Sequence, residues 1–260
     1  MLDWNPALYG RYEDERTRPA AELLARVPLS GAMRAVDLGC GPGNSTELVA
    51  RRFPGAEVLG IDNSEAMLTA ARTRLPSARF EAGDIARWTP AADAAPDLIY
   101  ANAALQWVPD HEALIPRLFA ALAPGGVLAV QMPDNRAEPT HRLMREVAAE
   151  PAWRDAIGDA DRLRTELLPL AGYYDLLARD AATVDVWHTI YQHPLASPAA
   201  IVEWVRATGL KPFVDRLTPA LQASYLAEYE RRVALAYPAR ADGRRLLAFP
   251  RMFIVARKAT

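Results

Sequence analysis

Through the first half of the chain, short aliphatic and β-branched runs alternate with longer stretches whose apolar positions recur every three or four residues. The short runs, Arg34 to Leu38, Glu57 to Ile61, Ala78 to Glu81, Asp97 to Tyr100 and Val127 to Gln131, predict strands. The periodic stretches, Ser45 to Phe53, Ser64 to Leu75 and Glu112 to Ala121, predict helices, each entered through a cap or turn residue. Such alternation implies an α/β fold of parallel strands joined by right-handed crossovers, with ligands in the crevice at the carboxyl edge of the sheet.

The rhythm breaks at Pro151. From there to Ala182 the chain is mixed, charged and aromatic, with weak helical spacing, and reads as an insertion or lid. Val184 to Gln192 predicts a long strand, Ser197 and Pro198 open a helix running towards Ala207, and Thr218 to Ala236 predicts a longer amphipathic helix. Leu246 to Val255 closes as a strand, in which Pro250 implies an edge position or a bulge, because proline cannot donate to a sheet ladder. The 260 residues are expected to form a single domain, 1–260, with lid or insert segments at 150–182 and 195–240.

Composition acts mainly by exclusion. With 51% hydrophobic and 24% charged residues the chain is expected to fold rather than remain disordered. A net charge of −2 gives no electrostatic reason to bind polyanions, so nucleic acid is not an expected partner. Cys40 is the only cysteine, which excludes an intrachain disulfide and a Cys-rich zinc site and suits a reducing cytoplasm. Asp3, Arg11, Glu13, Asp14, Glu15, Arg16 and Arg18 leave no apolar core for a secretory signal. No run approaches the roughly 18 apolar residues of a membrane-spanning helix, so a cytoplasmic protein without a membrane partner is expected. His111, His141, His188 and His193 form no HExxH motif and no i,i+4 pair, and no metal is expected. Of these, His111 behind the capping residue Asp110 reads as surface, and His188 and His193 as structural.

The most informative stretch is Asp37-Leu-Gly-Cys-Gly-Pro-Gly43, where a strand ends, three glycines alternate and a helix begins. Glycine permits positive φ and close backbone approach, so the loop is either a cradle for a small ligand or a plain strand-to-helix turn. A dinucleotide site is opposed by Asn44, which stands where the fingerprint from Gly39 needs its third glycine. Asp37 would also set a carboxylate beside a phosphate, whereas it suits an ammonium or sulfonium; a nicotinamide-dependent oxidoreductase is the weaker reading. Asp62 ends the next strand, about 20 residues on, where an acidic side chain can accept both hydroxyls of a ribose while Ser64 caps the helix. Gly83-Asp84-Ile85 follows the third strand and could read an adenine edge or simply turn the chain.

Taken in order, the glycine loop, Asp62, Gly83-Asp84 and Asn102 resemble the motifs of class I S-adenosylmethionine-dependent methyltransferases. The resemblance implies a Rossmann-like, seven-stranded, mostly parallel sheet with the last strand antiparallel and helices on both faces, plus the helical lid. It implies S-adenosylmethionine as cofactor and S-adenosylhomocysteine as product. Asp37 and the backbone of Gly39, Cys40 and Gly41 would hold the methionine part, and Asp62 the ribose. Asp84 and Ile85 would flank the adenine, Met67 would pack on its other face or in the core, and Asn63, Gly83 and Asn102 would complete the cofactor site.

Further segments extend the resemblance over most of the chain. Asp3 to Tyr9, Asn102 to His111, Gln131 to Asn135 with Glu138 to His141, Gly172 to Asp175 and Leu247 to Arg251 are similar to a branch that esterifies one carboxylate of a small tricarboxylic acid. Such an acid, with a pKa of about 4, is ionised at neutral pH and needs no general base. An acceptor hydroxyl or ring carbon, the competing choice, would normally need one, and the strand edge shows none. Catalysis then rests on in-line placement and exclusion of water. Gln106 and Trp107, after the fourth strand, offer an amide NH2 and an indole N–H to hold one carboxylate oxygen, although Trp107 equally suits core packing. The other carboxylates call for cations or neutral donors: Arg16, His141, Arg251 and Lys211, with Tyr9, Tyr173, Tyr174 and Tyr191. Arg16 and Arg251 are preferred, with Tyr9, His141 and Tyr174 beside them.

Overall fold

Every strand and helix predicted in the first half forms. The computed structural model describes residues 13–260 except 92 and 207. A first helix, α1 (Glu13–Ala25), precedes β1 (Arg34–Leu38), α2 (Asn44–Arg52), β2 (Glu57–Asp62), α3 (Glu65–Arg74), β3 (Arg79–Ala82) and β4 (Leu98–Asn102). A 3₁₀ turn (Leu105–Trp107) leads into α4 (His111–Ala120) and β5 (Val127–Pro133). There follow α5 (Pro139–Ala148), α6 (Arg154–Ile157), α7 (Leu170–Leu177), β6 (Ala181–Leu195), α8 (Pro198–Arg206), α9 (Lys211–Val214), α10 (Pro219–Ala236) and β7 (Arg245–Lys258). No described helix is long and apolar enough to cross a membrane.

The chain divides into two compact units. One comprises the residues up to Pro133 with Glu166–His188 and Met252–Thr260; the other comprises Asp134–Thr165 with Thr189–Arg251. The segment 150–182 is thus shared between them at residue 166, and 195–240 lies wholly in the second.

The strands form a seven-stranded sheet of order β3-β2-β1-β4-β5-β7-β6, parallel through β3, β2, β1, β4 and β5, which belong to the first unit, and antiparallel at the last, with β6 and β7 each divided between the units. Asp37 of β1 lies opposite Gly60 of β2 and Tyr100 of β4, and Asn102 lies opposite Gln131 of β5. Every residue of β4 is buried, as is nearly all of β5, which is why these central strands read as unbroken apolar runs rather than alternating ones. The strand β6 at the sheet's edge keeps an irregular, half-exposed pattern. The expected edge position of Pro250 is not observed, because β7 lies between β5 and β6. Pro250 precedes the proline-free stretch from Met252 that belongs to the first unit, and its carbonyl still accepts the Asp134 N–H at 3.0 Å.

Aromatic residues build the interior of the second unit. Tyr225 and Tyr229 of α10 stack, Trp153 meets Tyr225 edge-on, and the two tyrosine hydroxyls donate to the carbonyls of Met144 and Thr140 in α5. In the first unit a comparable bond ties α1 to the sheet: the Tyr100 hydroxyl, fully buried in β4, donates to the Ala20 carbonyl at 2.6 Å. Replacing Tyr100 by Phe removes that bond and should lower stability in urea by about 1 kcal/mol; an unchanged midpoint would show that it contributes nothing.

Candidate functional site

At the carboxyl end of β1 the chain must reverse into α2 within a few residues, and it does so by placing Gly39, Gly41 and Gly43 at φ +72°, +52° and +88°. A Cβ on Gly39 would lie 2.3 Å from that of Ala104, so the loop rests directly on the segment leaving β4. At Gly41 a Cβ would meet nothing within 4 Å, and the backbone there faces open space. The N–H groups of the loop are already used: Gly39 and Cys40 both donate to the Ile61 carbonyl, and Gly41 donates to Asp62 Oδ2 at 2.9 Å. A phosphate cradle needs such donors turned towards the ligand, and this loop turns them onto β2. Asn44, whose amide donates to the Thr17 hydroxyl, fills the position a dinucleotide loop keeps for glycine.

What the site presents instead is acceptors. Asp37, at the end of β1, is fully buried; its Oδ2 takes hydroxyl bonds from Ser45 at 2.7 Å and Thr46 at 2.6 Å, in the first turn of α2. Among the described residues its Oδ1 has no hydrogen-bond partner, and neither has Asn102 Oδ1 or Gln106 Oε1; all three are buried, Asp37 and Asn102 near the carboxyl ends of the paired strands β1 and β4 and Gln106 in the turn that follows β4. Burial pushes the Asp37 carboxyl up to about 6, against the two hydroxyl donors and with a further push from Asp62. Buried acceptors without donors are costly, and a ligand carrying an ammonium group or a sulfonium charge supplies what they lack.

Asp62 is held differently. The helix cap is Ser64, whose hydroxyl accepts the Met67 N–H, but Asp62 is not thereby left free: its two oxygens accept the N–H groups of Gly41 and Ser64. Each oxygen keeps a second lone pair, so the carboxylate can brace the loop and still receive hydroxyls. The Gly83 N–H donates to the Asp62 carbonyl, and the Ile85 side chain comes within 3.9 Å of the Gly39 Cβ position. Asp84 is exposed and turns the chain through the Ala86 N–H, Asn63 is exposed, and the Met67 side chain is buried. The Cys40 side chain lies in a core with Leu68, Ala71 and Phe80, where burial raises its thiol pKa far above the ordinary value. Only the backbone of Cys40 can face a ligand.

Beyond β4, Ala103 adopts φ +53° and its N–H donates to the Gln131 carbonyl. The buried Gln106 side chain donates its NH2 to the Ala103 carbonyl at 2.7 Å, which fixes the amide orientation and leaves its oxygen, an acceptor, unmatched. Trp107 is half-buried. The expectation of a surface His111 is overturned: the ring is buried, with Nδ1 2.6 Å from the Tyr173 hydroxyl and Nε2 2.9 Å from the Leu105 carbonyl. Asp110 caps α4 in the left-handed conformation, which turns the first helical residue inward. Tyr173 is accordingly core, whereas Tyr174 is exposed. The sequence assigns no role to the Ser45 and Thr46 hydroxyls, although two hydroxyl residues opening a helix after Asp-x-Gly are a usable sign.

The remaining candidates fall elsewhere. Tyr9 lies outside the described residues, and Arg16 sits on α1 with its side chain outside them. In the second unit, Arg251 is buried with its guanidinium 5.0 Å over the Phe249 ring, and Lys211 pairs with Asp215. Also there, His141 is buried against the Thr140 hydroxyl, and burial together with Arg164 and Arg145 holds its pKa well below the ordinary value, so it is neutral at pH 7. Arg164, a cation the sequence reading passed over, donates to Asn135 Oδ1 and is pushed down to about 10 by burial and by Arg136 and Arg145.

Two outcomes follow for the first unit. Gly39→Ala meets both the positive φ and the Ala104 contact and should destabilise the protein clearly more than Gly41→Ala, for which only the left-handed conformation costs, about 1–2 kcal/mol; equal urea midpoints would contradict the close approach. Because the Asp37 pKa is raised in the ligand-free fold, ionising it costs stability as pH rises through about 4 to 6, and a cationic ligand selects the ionised form. The dissociation constant of S-adenosylhomocysteine should therefore rise about tenfold between pH 7.5 and pH 5 in calorimetry, and this dependence should vanish in Asp37→Asn. A flat profile for the unsubstituted protein would remove Asp37 from the site.

Comparison with known proteins fits this geometry. A family described as a methyltransferase domain matches residues 35–126. A protein of Variovorax paradoxus (strain S110) named trans-aconitate 2-methyltransferase is 80% identical over 258 residues, 99% of each chain. One of the same name from Paracidovorax citrulli (strain AAC00-1) is 72% identical over 259 residues, the whole of both chains. Among solved structures, phosphoethanolamine N-methyltransferase 2 of Haemonchus contortus, in complex with S-adenosyl-L-methionine, aligns with a TM-score of 0.55 at 17% identity, covering 94% of this chain and 53% of that one. The YcgJ protein of Bacillus subtilis aligns with a TM-score of 0.58 at 13% identity, covering 94% and 99%. The two structures bear on the fold alone, but the full-length identities go further, and the chain belongs to the trans-aconitate 2-methyltransferase family.

Proposed function

We propose that this protein transfers a methyl group from S-adenosylmethionine to one carboxylate of trans-aconitate, giving the monomethyl ester and S-adenosylhomocysteine. The observation that carries the methyl-donor half is the set of buried acceptor oxygens on Asp37, Asn102 and Gln106 beside an open glycine loop whose own donors are used. The acceptor half rests on the name carried by the full-length relatives.

When bound, S-adenosylmethionine supplies a sulfonium methyl that an ionised carboxylate takes directly, the C–O bond forming as the C–S bond breaks and no proton moving. The protein's share is placement. Asp37 Oδ1 accepts from the ligand's ammonium group, Asp62 receives the ribose hydroxyls on its remaining lone pairs, and Ile85 lines the adenine side of the loop. Gln106 and Trp107 orient the reacting carboxylate; the second amide hydrogen of Gln106 serves that purpose, its first being held by Ala103. Of the candidates named for the other carboxylates, a guanidinium such as that of Arg251 matches a carboxylate by its chemistry, whereas His141 is a neutral ring.

The test is to incubate the protein with methyl-labelled S-adenosylmethionine and, separately, trans-aconitate, cis-aconitate, citrate and a monohydroxy aromatic. Label should appear in trans-aconitate as a product that mild alkali releases as methanol. Alkali-stable label, or none in any carboxylate, would overturn the reading.

A further inference from the structure

The segment between β4 and α4 carries two marks that the proposed chemistry does not by itself explain. It is bounded by Ala103 at φ +53° and Asp110 at φ +58°, the only non-glycine residues with positive φ among those described. Alanine in particular gains nothing locally from this conformation, which costs about 1–2 kcal/mol and persists only when the surroundings impose it. Between these residues lies the 3₁₀ turn of Leu105 to Trp107, a conformation with poorer hydrogen bonds than an α-helix and seldom long-lived alone.

The surroundings that impose it are identifiable. At the upstream end, the Ala103 N–H is held by the Gln131 carbonyl and the Ala103 carbonyl by the Gln106 side chain. At the downstream end, the left-handed Asp110 swings His111 under the turn. The Leu105 carbonyl then receives two donors, the Val108 backbone N–H and His111 Nε2, both at 2.9 Å. A carbonyl can only accept, so Nε2 carries a proton and donates, while Nδ1 shares a hydrogen bond of 2.6 Å with the Tyr173 hydroxyl. Tyr173 is fully buried on α7 within the main core of the first unit, its ring tilted against that of His111 at 5.7 Å. The 3₁₀ turn is thereby tied through one imidazole to a helix far away in sequence.

We propose that His111 and Tyr173 are positioning residues for methyl transfer: through the Leu105 carbonyl they hold the strained turn that presents Gln106 and Trp107. This rests on the reading that Gln106 and Trp107 orient the acceptor. The reaction requires no proton transfer by the protein, so its rate depends on alignment, and a displacement of about 1 Å can cost up to a hundredfold. Neither residue touches a ligand; both act through the backbone of the turn.

The test compares His111→Phe, His111→Gln and Tyr173→Phe in the full chain, reading kcat and KM for the acceptor, the dissociation constant of S-adenosylhomocysteine, and the melting temperature. His111→Phe should lower kcat about tenfold or more with cofactor affinity changed by less than about twofold, because the glycine loop and Asp62 are untouched. His111→Gln, whose amide N–H reaches where Nε2 stood, should restore most of the rate. Tyr173→Phe keeps the core packing and frees the imidazole to turn, so it should lower kcat by an intermediate factor, and it serves if His111→Phe does not fold. The proposal is overturned if folded His111→Phe and Tyr173→Phe retain full kcat, or if His111→Gln is as slow as His111→Phe. A Gln106→Met variant separates the two ideas: if it keeps full kcat, the underlying reading of Gln106 fails; if it is slow while the His111 and Tyr173 variants are not, the brace alone fails.

Discussion

A carboxylate placed where water cannot reach it governs this site. Asp37 lies near the carboxyl end of β1, an interior strand of the sheet, and is fully buried; among the described residues only one of its oxygens is satisfied, by two hydroxyls at the start of α2. Folding around such a group is unfavourable; with its pKa pushed from 3.8 to about 6, the ionised form costs the ligand-free protein on the order of 3 kcal/mol at neutral pH. The orphan oxygen is a standing demand for a cation or donor, and the unsatisfied acceptors on Asn102 and Gln106 add to that demand.

The same constraint orders the loop. Anion-binding glycine loops and this one share the glycines and the strand-loop-helix setting, but they differ in where the backbone N–H groups point. Here Ile61 and Asp62 take them, so the loop contributes room at Gly41 rather than positive potential. Asp62 therefore has two duties: it closes the loop onto β2 and, with its remaining lone pairs, stays available to hydroxyls. A cationic ligand meets carboxylates and carbonyls while the loop's own N–H groups are turned away onto β2, which is the electrostatic complement of a sulfonium nucleoside.

Since an ionised acid attacks without assistance, the protein has no need of a catalytic base, and the structural effort goes into rigidity instead. The strained segment between β4 and α4, pinned at Ala103 by Gln106 and Gln131 and at Leu105 by His111, is where that effort is visible. Strain kept at a site and supported by the core around it is the expected signature of preorganisation.

The sequence by itself determined the strands, the helices, the glycine loop and the carboxylates at the strand ends, because each follows from local rules: hydrophobic periodicity, turn chemistry and the conformations open only to glycine. It also weighed against the dinucleotide reading through Asn44. It did not determine that Asp62 would be engaged by Gly41 and Ser64, that Gln106 would face inward with its amide, that β7 would be interior despite Pro250, or that His111 would be buried. Those depend on which groups from distant parts of the chain meet, and a donor's partner is set by three-dimensional proximity that no spacing along the chain encodes. The hydrogen bond between His111 and Tyr173, 62 positions apart, exists only once the helices have packed; the tertiary structure alone decided it.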